Sequence, residues 1–275
     1  MLTPLSRALL AVALLSFGPI AATQDSFFSN WEARATRTQA EQPRWVTPLV
    51  TVTPRLEQEF RTDFVRQITP RHFDTWIYGN GKGLELIPAR RIELIFNVPP
   101  YVQHNNPKVK DGFGDVSFLL KYRFFARNEE NGNAIITAFL GGSIPTGSYS
   151  NGSPNATVTP TLAIGKGYKN FDVQSTAGAT LPVEDGDKLG RPIAWNTALQ
   201  YKCDPHWWPE VEFNATFFKG GPNDGTTQNF VTPGIVGRFP LRRRLGLTFG
   251  GGMQIATSQF HTYNHALVFT GRMPF

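Results

Sequence analysis

The stretch that decides the fold is GFGDVSFLLKYRFFARNEENGNAIITAFLGGSIPTGS, residues 112–148. Every second residue across positions 116–124 is large and apolar, and polar residues such as Lys121 and Arg123 lie between them. A period of two predicts a β-strand with one apolar face and one polar face. Residues 127–133 are polar and contain Asn-Gly, so the chain reverses there and a second strand follows.

The ends of this apolar face indicate which environment it meets. Aromatic residues lie toward the end of the face, at Tyr122 and Phe124. A soluble β-sandwich would cover the face with a second sheet and place few aromatic residues at the strand ends. Membrane-spanning strands instead carry interfacial aromatic residues beside a lipid-facing apolar band. The hairpin therefore predicts an all-β fold, an antiparallel transmembrane β-barrel that repeats this unit.

The composition agrees with one large β domain. Phe occurs 22 times and aromatic residues make up 13% of the 275 residues, yet the mean hydropathy is only -0.25. The apolar residues are thus spread at alternate positions, and after residue 22 no run approaches the ~20 apolar residues of a membrane helix. This excludes a helical membrane protein. Cys203 is the only cysteine, which excludes an internal disulfide.

Three regions are expected along the chain. Residues 1–22 predict a secretory signal peptide, because Arg7 precedes an apolar run and Ala21-Ala22 offers a cleavage site. Residues 23–48 show no sustained period. They are interpreted as a periplasmic lead-in, with a small plug inside the barrel as the alternative. Residues 49–275 are expected to form the barrel in the bacterial cell outer membrane.

Periodicity and turn residues predict about 12 strands, an even number typical of bacterial barrels. The strands are expected from residue 50 to about residue 61 and near 73–78, 85–98, 116–124, 134–145, 157–167, 171–183, 193–203, 207–218, 230–239, 245–255 and 264–275. The short connections are expected at 79–84, 127–133, 168–170, 204–206 and 241–243. They alternate with longer ones, which places both termini in the periplasm.

The last strand carries a candidate assembly signal. Phe269, Met273 and the terminal Phe275 share one face of the strand. A terminal aromatic residue with apolar residues at alternate positions resembles the signal that the outer-membrane assembly machinery recognises.

Several short motifs carry a resemblance to a known family. They are Arg90-Arg91-Ile92-Glu93-Leu94, Gly112-Phe113-Gly114-Asp115 leading into Lys121-Tyr122-Arg123-Phe124, and Ile144-Pro145-Thr146-Gly147. Over roughly residues 47–275 the sequence resembles the "putative MetA-pathway of phenol degradation" proteins, bacterial outer-membrane barrels grouped with transporters. The resemblance implies a transport-related role for hydrophobic or aromatic compounds. It implies no ligand-binding residues.

Charged residues at alternate positions are the candidate functional residues. If the apolar faces contact lipid, these side chains point into the lumen, where buried ions need partners and are expected to form ladders between adjacent strands. The lumen-lining candidates are Arg55, Glu57, Glu59, Arg61, Arg91, Glu93, Asp115, Lys121, Arg123, Lys202, Glu210, Glu212 and Arg238. They either line a narrow polar pore and set its ion selectivity, or fill the interior of a small barrel.

Other patterns point to weaker alternatives. Ser150-Asn151-Gly152 resembles the nucleophile segment of outer-membrane phospholipases, but Ser148 stands where a His is required, so no catalytic residue is predicted. His261 and His265 would lie ~13 Å apart on a strand and cannot share a metal ion. The net charge of +6 and the run Arg242-Arg243-Arg244 are explained by anionic headgroups or solvent without nucleic acid.

The sequence therefore predicts an outer-membrane channel or transporter for small molecules, with hydrophobic or aromatic compounds included, and not an enzyme. The alternatives are a non-catalytic structural or adhesive barrel with a closed lumen and, less favoured, a lipid hydrolase. The expected partners are outer-membrane lipid and lipopolysaccharide, the assembly machinery and a small-molecule substrate. No cofactor, metal or nucleic acid is expected.

Overall fold

A closed antiparallel β-barrel accounts for most of the chain. The computed structural model describes residues 18–70, 73–79 and 83–275, with side chains from residue 26 onward. Most of the expected signal peptide, residues 1–22, lies outside the described residues. Helix α1, Gly18–Ala40, precedes the barrel. Among the described residues, no helix is both long enough and apolar enough to cross a membrane.

The strands belong to a single sheet. In chain order they are β1 Glu59–Ile68, β2 Asp74–Tyr78, β3 Gly83–Ala89, β4 Ile92–Asn97, β5 Tyr101–His104, β6 Gly112–Phe113, β7 Val116–Arg127, β8 Ala134–Ile144, β9 Thr157–Tyr168, β10 Phe171–Ala179, β11 Leu181–Pro182, β12 Ile193–Tyr201, β13 Trp207–Phe217, β14 Thr227–Arg242, β15 Leu245–Ala256 and β16 His265–Pro274. A short helix, α2, spans Gly186–Leu189.

These segments make up 12 barrel strands, which confirms the predicted number. Segments β2 and β3 both pair with β1, and β10 and β11 both pair with β9, so each pair forms one barrel strand. Segments β4 and β5 pair with the strand made of β3 and β2, and β7 and β6 pair in turn with β4 and β5, so these are also single strands. The barrel closes between β1 and β16 over ten residue pairs, from Glu59↔Pro274 to Ile68↔His265.

The predicted turn at residues 79–84 is wrong. Both β2 and β3 pair with β1, through Phe64↔Tyr78 and Phe60↔Leu84, so the two segments belong to one barrel strand and not to two. The hairpin turn lies at residues 90–91, and Ala89↔Ile92 is the last pair before it. The turn was predicted from its glycines, but glycine occurs within irregular strands as well as in turns.

Connections of two kinds lie at the two ends of the barrel. The short-turn end contains residues 90–91, 128–133, 169–170, 202–206 and 243–244, together with the start of β1 and the end of β16. The long-loop end contains residues 105–111, 145–156, 183–192, 218–226 and 257–264. Apart from residues 79–84, the alternation of long and short connections agrees with the predicted one.

The barrel wall is apolar outside and polar inside. In β1 the side chains of Phe60 and Phe64 are exposed, and those of Glu59, Arg61 and Asp63 between them are buried. Alternation of this kind is the signature of a strand between lipid and a polar lumen. The hairpin strand β7 has the predicted outward face, since Tyr122 and Phe124 are exposed. Their rings form an edge-to-face pair with centroids 5.1 Å apart.

The segment between helix α1 and strand β1 lies inside the barrel. We call residues 41–58 the plug segment. Leu56 has 0% exposure, and most of the other plug residues are buried. The segment contains Pro43, Pro48 and Pro54 among β-branched residues. Proline removes a backbone donor and β-branched side chains disfavour helix, so the chain crosses the lumen in extended form. The barrel wall therefore begins at Glu59, not at the expected residue 49.

Candidate functional site in the barrel lumen

Two carboxylates of strand β13 bind the backbone of the plug segment. The Leu49 N–H donates to Glu210 Oε1 at 2.9 Å, and those of Val50 and Thr51 donate to the two oxygens of Glu212 at 2.7 and 2.6 Å. Hydrogen bonds to an ionised acceptor are stronger than neutral ones. Buried backbone amides need hydrogen-bond partners. Three successive amides of the irregular plug segment thus find theirs on the wall.

Cationic wall residues bind the carbonyl groups of the same segment. The Arg61 guanidinium donates to the Leu49 carbonyl at 2.7 Å, and that of Arg272 donates to the carbonyls of Thr47 and Pro48 at 2.5 and 2.7 Å. Lys121 Nζ donates to the Arg55 carbonyl at 3.1 Å. The wall therefore binds plug amides through its carboxylates and plug carbonyls through its arginine and lysine side chains.

Neutral side chains complete these contacts. Gln174 Nε2 donates to the Val46 carbonyl at 3.0 Å, and the Thr137 hydroxyl donates to the Pro54 carbonyl at 2.6 Å. The described residues show no strand pairing between the plug segment and the wall. Side-chain hydrogen bonds, not a β-ladder, hold the plug.

Wall glycines make room for Leu49. A Cβ built on Gly234 meets Leu49 Cδ1, one on Gly252 lies 2.7 Å from the same atom, and one on Gly250 lies 2.9 Å from Cδ2. These glycines lie on the adjacent strands β14 and β15. Any larger residue would have to displace the leucine, so the three positions form a socket for it.

A second plug side chain uses glycines on strand β9. A Cβ on Gly165 meets the Trp45 ring, and one on Gly167 lies 2.7 Å from Trp45 Nε1. Trp45 is only 5% exposed. Two anchoring side chains thus fix the plug segment against different sides of the barrel.

Among the residues that the structure describes, the charged interior contains one ion pair between adjacent strands. Lys121 Nζ lies 3.0 Å from Glu93 Oε1, both side chains are at most 1% exposed, and the residues face each other in register. The pair between Arg61 and Asp63, at 2.7 Å, lies within β1. The pair between Arg55 and Glu57, at 3.0 Å, lies within the plug segment. The predicted ladders are thus largely replaced by contacts to the plug.

The plug segment lies between two cavities of different character. On the long-loop side is a cavity of about 350 Å³, with Val52 of the plug in its lining. Hydroxyl and amide side chains dominate its polar lining, and no charged residue contributes to it among those described: Asn97, Ser117, Ser143, Thr157, Thr159, Thr161, Thr176, Thr180 and Asn196. On the short-turn side is a cavity of about 380 Å³ whose lining includes Arg55, Glu57 and Arg272.

The opposite side of the long-loop half is filled. Val50 of the plug, Ile77 and Tyr263 all pack against a buried apolar cluster of Val65, Ala266 and Val268. The Tyr263 hydroxyl donates to Gln254 Oε1 at 2.6 Å, and burial raises the pKa of this hydroxyl above its ordinary value. Tyr263 therefore stays neutral. The neutral cavity is consequently confined to the side formed by strand β4 and strands β7 to β12.

The structure distributes the predicted lumen residues among several places. Seven are buried on the inner wall: Glu59, Arg61, Glu93, Lys121, Arg123, Glu210 and Glu212. Arg55 and Glu57 are buried as well, but they belong to the plug segment and not to a wall strand. Leu56, which lies between these two residues in the plug segment, is buried as well.

Three predicted residues do not lie in the lumen interior as expected, and a fourth, Arg238, lines only the charged cavity at the short-turn end. Arg91 is exposed on the turn between β3 and β4, and Lys202 is exposed on the turn after β12. The Asp115 carboxylate accepts from the Gly147 and Ser153 amides and fixes the long loop after β8. Arg238 is half-buried near the short-turn end, 4.9 Å above the Trp208 ring. The alternation of inward and outward residues does not predict the position of a side chain at a strand end, where the side chain can reach out of the barrel.

Several important residues were absent from the prediction. Arg272 has inward parity in the last strand, so strand alternation could have identified it. Gln174 and Thr137 are uncharged, and the glycines of the Leu49 socket have no side chain, so no charge pattern marks them. Their role depends on what fills the lumen, which periodicity does not reveal.

Residues of the alternative chemical patterns make local hydrogen bonds in the long loops. The Ser148 hydroxyl accepts from the Phe113 amide at 2.8 Å. His261 bonds within its own loop, to Ser258 and Asn264, whereas His265 begins strand β16. Among the described residues no group of His, Cys, Asp and Glu side chains is arranged to hold a metal ion.

Fold and site together define an outer-membrane-type β-barrel with an internal plug. The chain belongs to the family described as "Putative MetA-pathway of phenol degradation", whose model matches residues 50–265. The family expected from the short motifs is thereby confirmed.

Solved structures share the architecture. The chain is similar to the COG4313 outer membrane channel from Pseudomonas putida F1, with a TM-score of 0.54 and 17% identity over 78% of this chain and 94% of that one. It is also similar to the NanC porin, with a TM-score of 0.50 and 7% identity over 79% of this chain and 98% of that one. No curated protein matches the sequence. At these identities the likeness establishes the fold.

Proposed function

We propose that the protein is a channel of the bacterial outer membrane that rests closed and opens when the plug segment moves. The observation that carries this proposal is the way the plug is held. Its backbone bonds to side chains such as Glu212 and Arg272, and the wall strands pair with one another around the full circumference. The plug can therefore leave its place without any strand of the barrel unpairing.

The proposed solutes are small and uncharged, with aromatic compounds included. The long-loop cavity supports this class, because its polar lining is hydroxyl and amide and its apolar lining includes Phe139, Leu119 and Val52. A site of this composition suits a molecule with an apolar face and one or two hydrogen-bonding groups. The family description, which refers to phenol degradation, points to the same class.

The proposed orientation places the short-turn end and both termini in the periplasm. Outer-membrane barrels have short periplasmic turns and longer external loops, and the chain has both kinds at opposite ends. In this orientation the neutral cavity opens toward the outside of the cell and the charged cavity toward the periplasm. Lipopolysaccharide then surrounds the long-loop end and phospholipid the short-turn end.

We propose no catalytic role. The channel-like fold supports this, as does Ser148, which stands where the phospholipase segment requires a His. The second candidate function, a structural or adhesive barrel, is favoured by one observation, the filled lumen. It requires that the plug segment never moves.

Single-channel recording across a planar bilayer separates the two functions. The change is Glu212→Gln, which weakens the bonds to the Val50 and Thr51 amides by removing the acceptor charge. We expect rare, brief openings in the wild type and more frequent openings in the variant. Glu85→Gln is the matched control, since Glu85 is also a buried carboxylate on the inner wall and makes no hydrogen bond to the plug among the described residues.

A silent bilayer with both proteins, each shown to be folded, would contradict the channel and leave the structural barrel. An equal increase with Glu85→Gln would mean that lumen charge, and not the hold on the plug, controls opening.

A further inference from the structure

An arginine-rich pocket lies at the short-turn end, outside the lumen site. Its volume is about 720 Å³, within the range of ~300–1,000 Å³ typical of ligand pockets. The lining includes five arginines and one carboxylate: Arg37, Arg90, Arg91, Arg123, Arg127 and Glu41. Helix α1 contributes Arg37, the turn after β3 contributes Arg90 and Arg91, and β7 contributes the other two arginines. Three separate elements thus bring positive charge to one place.

The single carboxylate does not neutralise these charges. Glu41 pairs with Arg90 at 2.5 Å and with Arg123 at 3.0 Å, and its bond holds the pKa of Arg90 above the ordinary value. In the part of the chain that the structure describes, Arg37, Arg91 and Arg127 make no ion pair. An excess of unpaired guanidinium groups in a concave site attracts an anion with several acceptor oxygens.

One side of the pocket is apolar and faces outward. Phe124 and Phe125 both line it, and both are exposed, at 55% and 38%. Two successive residues can face outward because the register between β7 and β8 shifts between Arg123 and Phe125, which is a β-bulge. Next to them Tyr122 belongs to the lipid-facing surface. The pocket therefore extends from the aqueous mouth of the barrel to its lipid contact.

We propose that this pocket binds the phosphate headgroup of an anionic glycerophospholipid. Arg37, Arg91 and Arg127 contact the phosphate, and the first carbons of the acyl chains lie on Phe124 and Phe125. Basic clusters at a membrane boundary favour anionic over zwitterionic headgroups. With the short turns in the periplasm, the ligand comes from the inner leaflet, where phospholipid is present.

The pocket also adjoins the start of the plug segment. Arg123 donates to the Thr38 carbonyl at 2.8 Å, to Gln42 at 3.2 Å and to Glu41 at 3.0 Å. These residues connect helix α1 to the plug. A bound phosphate would compete with Glu41 for Arg90 and Arg123, so the lipid contacts the chain where the plug is attached.

Native mass spectrometry of the refolded protein tests the binding. Equal amounts of phosphatidylglycerol and phosphatidylcholine are added, and the ratio of the two bound lipids is read. The test variant is Arg37→Gln with Arg91→Gln, which removes two unpaired, exposed arginines. The matched control is Arg242→Gln with Arg243→Gln, which removes the same charge from exposed positions at the same barrel end. Heat-modifiable gel migration checks that each protein is folded.

We expect the wild type and the control to prefer phosphatidylglycerol. In the test variant we expect the ratio of bound phosphatidylglycerol to bound phosphatidylcholine to be about tenfold lower. Glycerol 3-phosphate, a soluble phosphate without acyl chains, is expected to displace little of the bound lipid. Equal binding of the two lipids by the wild type would overturn the proposal. So would an equal loss in the control variant, which would indicate a diffuse basic surface, or full displacement by the soluble phosphate. The measurement involves no current, so its outcome is independent of whether the barrel conducts.

Discussion

At the scale of single residues, Lys121 and Glu93 show why the inner wall is sensitive to charge. Each would be an uncompensated ion without the other, because both side chains are almost fully buried. Lys121 also donates to the Arg55 carbonyl, and Glu93 accepts from the Glu57 amide at 2.6 Å. The pair thus joins two wall strands to the plug segment.

We expect Lys121→Met to destabilise the barrel by about 3–5 kcal/mol, since it leaves a buried carboxylate without its partner. The measurement is guanidinium unfolding of the protein in lipid vesicles, followed by tryptophan fluorescence. Lys121→Met combined with Glu93→Gln should recover part of the loss. A cost below ~1 kcal/mol for the single variant would show that the pair has no greater effect than an exposed one.

The Leu49 socket allows a test of packing. Gly234→Ala places a methyl group where Leu49 Cδ1 lies, and other atoms near the new Cβ are no closer than 3.1 Å. Overpacking of this kind costs about 1–3 kcal/mol. We expect the same unfolding measurement to show this loss, and Leu49→Ala to cost less in the Gly234→Ala background than in the wild type, because the added methyl group occupies part of the space that the leucine leaves. Independent, additive effects of the two substitutions would mean that they do not touch.

At the scale of elements, the plug segment has no regular secondary structure, yet most of its residues are buried. The Leu49, Val50 and Thr51 amides donate to buried carboxylates, so we expect their hydrogen exchange to be slow. Residues 26–30 of helix α1, all of which are exposed, should exchange fast. Hydrogen exchange read by mass spectrometry on peptides from residues 45–58 checks this. Exchange as fast in the plug as in residues 26–30 would show that it leaves the lumen freely.

The last strand combines closure of the barrel with the proposed assembly signal. Phe269, Met273 and Phe275 all face outward, at 51%, 44% and 36% exposure. The Phe275 carbonyl accepts from Arg244, so the backbone is bound while the residue stays partly exposed. The terminal ring is therefore available for recognition.

We expect Phe275→Ala to reduce the amount of protein assembled in outer membranes several-fold while leaving refolding in detergent unchanged. The matched control is Phe249→Ala, an outward phenylalanine on the neighbouring strand with 48% exposure. The readout is the folded band on a heat-modifiable gel of membrane fractions. Equal losses with both variants would assign the effect to the outer apolar surface and not to recognition.

At the scale of the whole molecule, closure makes the barrel a single cooperative unit. Because β1 pairs with β16 over its full length, no strand edge is left unpaired along that seam. A membrane barrel needs this, since lipid offers no partner for backbone groups. We expect heat-modifiable gel migration and a circular dichroism spectrum dominated by strand, with a small helical contribution from α1. A strongly helical spectrum would contradict the fold.

The sequence by itself determined the architecture of the wall. Alternating residues from Val116 to Phe124, and the same pattern in other strands, identify which side meets lipid, because each strand obeys the period of two on its own. Short motifs also identified the family. Local patterns of this kind require no knowledge of distant residues, which is why the number of strands and most turns were predictable.

Only the tertiary structure decided what fills the lumen. Residues 41–58 are held by partners more than a hundred positions away, such as Glu212 and Arg272, and by glycines that leave space for Leu49. Prolines and β-branched residues exclude a helix there but do not tell a wall strand from an interior segment. That distinction depends on pairing across the closed barrel, so Arg55 and Glu57 have strand-like spacing in the sequence and lie in the plug.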